Sequence, residues 1–183
     1  MELLNFSTID TIPTGGHMLP PLPYAYNALE PVICEKIVRI HHDIHHLAYV
    51  EGLNKAEKYL EDARCKNNFD LIKYWENELA FNGSGHILHS LYWTIMQPAA
   101  LDEQMPKPHT MKMINEYFGS YEAFANQFIE AAIAVEGNGW CVLGYNPAFG
   151  HLEILQAEKH QNLTQWGIIP ILVVDVWEHA YYL

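Results

Sequence analysis

The amino-acid sequence predicts an α+β protein, with a helical hairpin followed by a region that mixes helices with three strands. In the first half, two long stretches place apolar residues at helical spacing. In the second half, three short runs have strand character, and a proline-marked segment separates the two regimes.

Residues 1–23 carry Pro13, Gly15, Gly16, Pro20, Pro21 and Pro23, which predict a loosely ordered arm. A helix is expected from Pro31, because proline suits a first helical turn. Ile33, Ile37, Ile40, Ile44 and Leu47 recur at helical spacing and give this helix one apolar face. Its expected end is near Asp62, since residues 63–68 lose the periodicity. A second helix is expected over residues 70–96. Gly83 and Gly85 within it cost helix stability, which predicts close packing against another element. Pro98, Pro106 and Pro108 mark residues 97–109 as a linker. Helices are expected again over 111–118 and 121–135, the latter capped by Ser120. Residues 140–145 and 151–156 read as strands around a turn at Asn146-Pro147, and the continuously apolar run 168–175 reads as a buried strand.

The chain has 183 residues, half of them apolar, enough for a sizeable core. Its formal charge of -12 argues against nucleic acid or an anionic membrane as partner, and any anion site must be locally positive. Cys34, Cys65 and Cys141 show no C-x-x-C spacing, which suits a reducing compartment. The first 23 residues lack a signal-peptide pattern, and Pro170 interrupts the apolar run 168–174, so a soluble cytoplasmic protein is expected.

The 11 histidines are clustered. His41, His42, His45 and His46 form two i,i+4 pairs, with Tyr49 extending one stripe; His86 and His89 follow on the second helix, with Trp93 beyond. Asp175 and His179 are i,i+4 near the end of the chain, able to face one cation if a strand end turns into a helix there. Each group has an ordinary explanation: a solvated helix face, a satisfied core histidine, or a helix-stabilising pair. Yet three segments each offer a ligand beside aromatic residues. His41, His89, Asp175 and His179 would supply three nitrogens and one oxygen and leave room for solvent or substrate. Iron and manganese accept such a set and change oxidation state; zinc accepts it without redox chemistry. The H-E-x-x-H, P-loop, G-x-G-x-x-G and G-x-S-x-G patterns are absent. A metal-binding protein without turnover and a non-haem iron oxygenase with two histidines and one carboxylate remain open as alternatives.

Several motifs in fixed order resemble the iron/manganese superoxide dismutase family from about Leu19 to Leu183. They are Pro23-Tyr24-Ala25-Tyr26-Asn27-Ala28-Leu29-Glu30-Pro31, Ile40-His41-His42 with His45-His46 and Tyr49, Gly85-His86, His89-Ser90-Leu91-Tyr92-Trp93, Gly139-Trp140, and the stretch from Asp175 to Tyr182. The resemblance implies an N-terminal antiparallel helical hairpin (19–98) and an α/β domain with a three-stranded antiparallel sheet (99–183), residues 1–18 being an extension outside that core. It implies superoxide as substrate and one iron or manganese ion per subunit, held by His41, His89, Asp175 and His179. Tyr49 and His45 would form the channel mouth, Trp93, Trp140 and Trp177 the walls, and His160 the contact to bound solvent. It also implies a homodimer, with Glu178 and Tyr182 at the interface. Members of the family continue past the Tyr-Tyr pair with a basic, aromatic-rich segment and a closing helix. Without these, exposed apolar surface, fewer steering cations and impaired activity are expected.

Overall fold

The computed structural model describes residues 11–98 and 105–183. Most of the arm's first part, residues 1–10, and residues 99–104 of the expected linker lie outside the described residues. Three layers result. A helical hairpin covers one face of a three-stranded sheet and two shorter helices cover the other.

The first hairpin helix is continuous but changes winding. It comprises α1 (Glu35–Ile40), a turn of π-helix (His41–His46) and α2 (Leu47–Lys66). It begins four residues after Pro31, because Val32 and Ile33 both donate to the Leu29 carbonyl and close a tight turn first. It also outruns Asp62, ending where Asn67 adopts a left-handed conformation at φ 49°. The expected apolar stripe fails at Ile44, which is 59% exposed. In a π turn the i→i+5 bonding shifts each side chain around the axis, and His41, His42 and His46 take the buried side instead. The solvated-face explanation therefore fails for these three.

The return helix α3 (Ile72–Ile95) packs antiparallel along α2, and its C-terminal half rests on the sheet. Then come α4 (Pro108–Phe118), starting earlier than expected because Pro108 takes the first turn, and α5 (Tyr121–Ile133). The Ser120 hydroxyl caps α5 by accepting from the Ala123 amide at 3.0 Å.

The sheet consists of β1 (Gly139–Asn146), β2 (His151–Glu158) and β3 (Ile169–Asp175), in the order β2-β1-β3, antiparallel throughout. The central strand explains its own composition. Trp140 and Val142 face the hairpin with Val38, Leu88, Trp93 and Val173, while Cys141 and Leu143 face α4 and α5 with Ile114, Phe124 and Phe128. A strand buried on both faces reads as a continuous apolar run. The register sets Trp140 opposite both Ala157 on β2 and Asp175 on β3. The ends of all three strands thus meet beneath the π turn.

Candidate metal centre

Asp175 is the last residue of β3 and shares with Val173 the face turned to the hairpin. Its Oδ1 accepts the Trp177 amide at 2.9 Å, an Asx-type bond that bends the chain out of the strand. The following 3₁₀ turn, Glu178–Ala180, brings His179 back, with Nε2 3.2 Å from Asp175 Oδ2. The i,i+4 pair is thus built by a strand end entering a short helix. From the hairpin, His41 Nε2 approaches Oδ2 at 3.1 Å and His89 Nε2 at 3.7 Å. These four ligand atoms lie within 4.8 Å of one another.

His41 and His89 are fully buried, and neither Nε2 has a hydrogen-bond partner. For His89 the reason is visible. Its Nδ1 lies 2.7 Å from the Gly85 carbonyl, which can only accept, so the proton sits on Nδ1 and Nε2 carries a bare lone pair. Burial drives the His89 and His41 pKa values down, which keeps both rings neutral. Burial alone would raise the Asp175 pKa, but the imidazole rings of His179 and His41 beside it outweigh it and hold the carboxyl well below its ordinary value. A bare imidazole lone pair aimed at a carboxylate oxygen is unfavourable unless a cation lies between them. With bonds of ~2.1 Å to nitrogen and oxygen, neighbouring donors on one ion lie roughly 3 to 3.7 Å apart, as the contacts to Oδ2 do. The donor set therefore fits a borderline divalent or trivalent metal ion. Among the described residues it is the one such cluster.

Around it, the remaining expected residues converge. His160, just past β2, is only 3% exposed. Trp140 Nε1–H donates to His160 Nδ1 at 2.9 Å. With Nδ1 accepting, the proton of the neutral ring sits on Nε2, which is buried without a partner. Burial pushes the His160 pKa down to about 4, so that Nε2–H is a neutral donor. Tyr49 packs edge-on against His160 at 4.5 Å and lies 5.0 Å from His89; burial raises its hydroxyl pKa. A Cβ on Gly85 would stand 2.9 Å from Tyr49 Cγ and 3.3 Å from His160 Cδ2, so close packing does demand this glycine. Gly83 meets only Leu53, at an ordinary 3.5 Å.

Trp140 and Trp93 wall the cluster through ring contacts to His89 and His41. Trp177 stacks between His160 (4.7 Å) and His179 (5.3 Å), and His45 stacks on the far side of His179 at 4.6 Å. Three residues around the site are not in the predicted set. Tyr92 lies 5.5 Å from His41, Phe81 packs on Tyr49 and His160, and His46 lies behind His89. The repeated His-His doublets were the available signal for His46, but the π turn that buries it leaves no periodic trace.

The description "iron/manganese superoxide dismutases, alpha-hairpin domain" matches residues 16–97, and the C-terminal domain of the same family matches residues 106–183. A manganese/iron superoxide dismutase of Aeropyrum pernix is 45% identical over 90% of this chain and 77% of its own length. The chain belongs to the iron/manganese superoxide dismutase family. A probable iron superoxide dismutase of Bacillus subtilis is 53% identical over 94% of this chain, which spans 60% of that relative's length. An iron superoxide dismutase of Pyrobaculum aerophilum is 44% identical over 94% of the chain and 82% of its own length. The family is one of oxidoreductases with iron or manganese, and the cluster of three histidines and one aspartate is where this chain could hold one such ion. Among the described residues, no helix is long and apolar enough to cross a membrane.

Proposed function

We propose that this chain is a superoxide dismutase, converting two superoxide anions and two protons to dioxygen and hydrogen peroxide. The observation that carries the reading is the meeting of His41, His89, Asp175 and His179, with two buried imidazole nitrogens lacking any other partner. These four side chains would hold iron or manganese, which would supply the one-electron redox chemistry that the reaction needs.

The chain's own residues do the rest. With a single carboxylate among the four residues, a bound divalent or trivalent ion would keep net positive charge at the centre, which would draw an anion into a chain of net charge -12. Trp93, Trp140, Trp177 and Phe81 line the surroundings with apolar rings, favouring a very small substrate. His160 Nε2–H is the unpartnered donor suited to orienting bound solvent, and the Tyr49 hydroxyl beside it serves proton delivery. His45, stacked on His179, stands at the mouth. Glu178 is exposed next to a ligand and Tyr182 is 51% exposed, which supports a homodimer interface at this end. Three free cysteines support a cytoplasmic setting.

An oxygenase with two histidines and one carboxylate is disfavoured, because three imidazoles point at Asp175 Oδ2. Elemental analysis alongside a superoxide-consumption assay tests the proposal. Bound iron or manganese with consumption is expected; bound metal without consumption would leave a metal-binding protein only. Sedimentation measures the dimer.

A further inference from the structure

We propose that His46 and His86 are positioning residues, forming with Trp93 a hydrogen-bonded brace behind the ligands His41 and His89 whose outer end is closed by residues 15–17. The inference rests on the metal-centre reading above and extends it to groups that the reaction itself does not use. His46 is fully buried and binds no ion, yet its ring stacks on His89 with centroids 5.3 Å apart and planes at 24°. Trp93 packs edge-on against His41 at 4.9 Å.

These two supporting rings are joined. The Trp93 indole N–H donates to His46 Nδ1 at 3.0 Å. An indole nitrogen only donates, so His46 Nδ1 accepts and its proton resides on Nε2. That nitrogen lies 2.9 Å from His86 Nδ1 and donates to it. The chain of donors therefore runs one way, from Trp93 through His46 to His86. Rotation of the His46 ring would break both bonds inside the core, where an unpaired donor or acceptor goes uncompensated by water. The plane on which His89 rests is fixed accordingly.

The outer end is covered by the chain's own arm. His17 meets the half-buried His86 edge-on at 5.7 Å. Two side chains of α2 hold this segment by its backbone, much as a neighbouring strand would. Asn54 accepts the His17 amide at 2.8 Å and donates to its carbonyl at 2.9 Å. Glu57 accepts the Gly15 amide at 2.6 Å and faces His17 Nε2 at 3.0 Å. The strap shields His86 from water that would compete for the His46 proton.

The test loads the full chain with iron and reads chelator competition together with the paramagnetic resonance spectrum of the trivalent ion. His86→Ala removes the acceptor, and is expected to weaken iron retention about 10- to 100-fold, as loss of a group supporting a metal ligand does, and to alter the spectrum. His86→Gln offers an acceptor oxygen and restores both. Asn54→Ala, on the outer side of α2, releases the strap without touching the brace and shifts both readouts in the same direction by less. His86→Ala with the parent's spectrum and retention overturns the proposal. So does His86→Gln as impaired as His86→Ala, which would make bulk rather than the hydrogen bond decisive. A parent chain that takes up neither iron nor manganese would instead overturn the metal-centre reading itself.

Discussion

Replacing Gly85 and Gly83 by alanine, one at a time, should have opposite effects although both lie inside α3. In an exposed helix interior, Gly→Ala stabilises by roughly 0.5–1 kcal/mol. At Gly83 nothing opposes that gain, since the new Cβ would meet only Leu53 Cδ1 at 3.5 Å. At Gly85 the Cβ would stand 2.9 and 3.0 Å from Cγ and Cδ1 of Tyr49, the root of a rigid ring that is itself buried. Tyr49 cannot yield without pressing on His160 or His89, whose rings lie 4.5 and 5.0 Å away. Overpacking of this kind costs about 1–3 kcal/mol. The net for Gly85→Ala is then a loss of roughly 0.5–2 kcal/mol, taking a helix gain of about 0.5 against a strain of about 1–2.5. For a chain of this size each kcal/mol moves Tm by about 2–4 °C. Thermal melts should show Gly83→Ala up by about 1–4 °C and Gly85→Ala down by about 1–8 °C, with superoxide consumption reduced in the second only. A Gly85→Ala protein as stabilised as Gly83→Ala, with unchanged turnover, would refute the packing argument.

Asp175→Ala removes the only carboxylate among the four donors and should lower iron or manganese affinity by more than the about 10–100-fold that changes outside the ligand set cost; elemental analysis after desalting checks it. Tyr49→Phe keeps the ring packing and should retain metal while slowing superoxide consumption by up to about 100-fold, the low end for a positioned proton donor; loss of metal would make Tyr49 structural. The metal-free protein should weaken in mild acid. Burial holds His46 at about 3 and His160 at about 4, whereas both titrate near 6.5 when unfolded. A depressed histidine pKa gives stability that is full above 6.5 and lost as pH falls toward the folded value. Between pH 7 and 5 each ring costs on the order of 2 kcal/mol. Urea midpoints at the two pH values measure this, and His160→Gln should remove about half the difference; a flat profile would show that neither ring is held neutral.

The four donors were legible in the sequence because each carries its own local mark: a histidine doublet at helical spacing, a histidine followed by aromatic residues, and an Asp/His pair at i,i+4. The hairpin, the positions of the three strands and the Ser120 cap were legible for the same reason, since periodicity and caps depend on neighbours a few residues away. But β3, expected to be buried, is an edge strand with Ile169, Ile171 and Val174 exposed. Tertiary structure alone decided which faces are buried. The π turn rotates His41, His42 and His46 inward and leaves Ile44 outside, so the apolar pattern there points to the wrong side. His160 enters the site because Lys159 adopts φ 54° and donates its amide to Asn138, tucking the next ring beneath Trp140. The strap at residues 15–17 exists only because Asn54 and Glu57 sit across from it on α2. Periodicity in a sequence reports how a segment coils on itself, whereas burial is set by what lies opposite in space, brought there by contacts tens of residues apart.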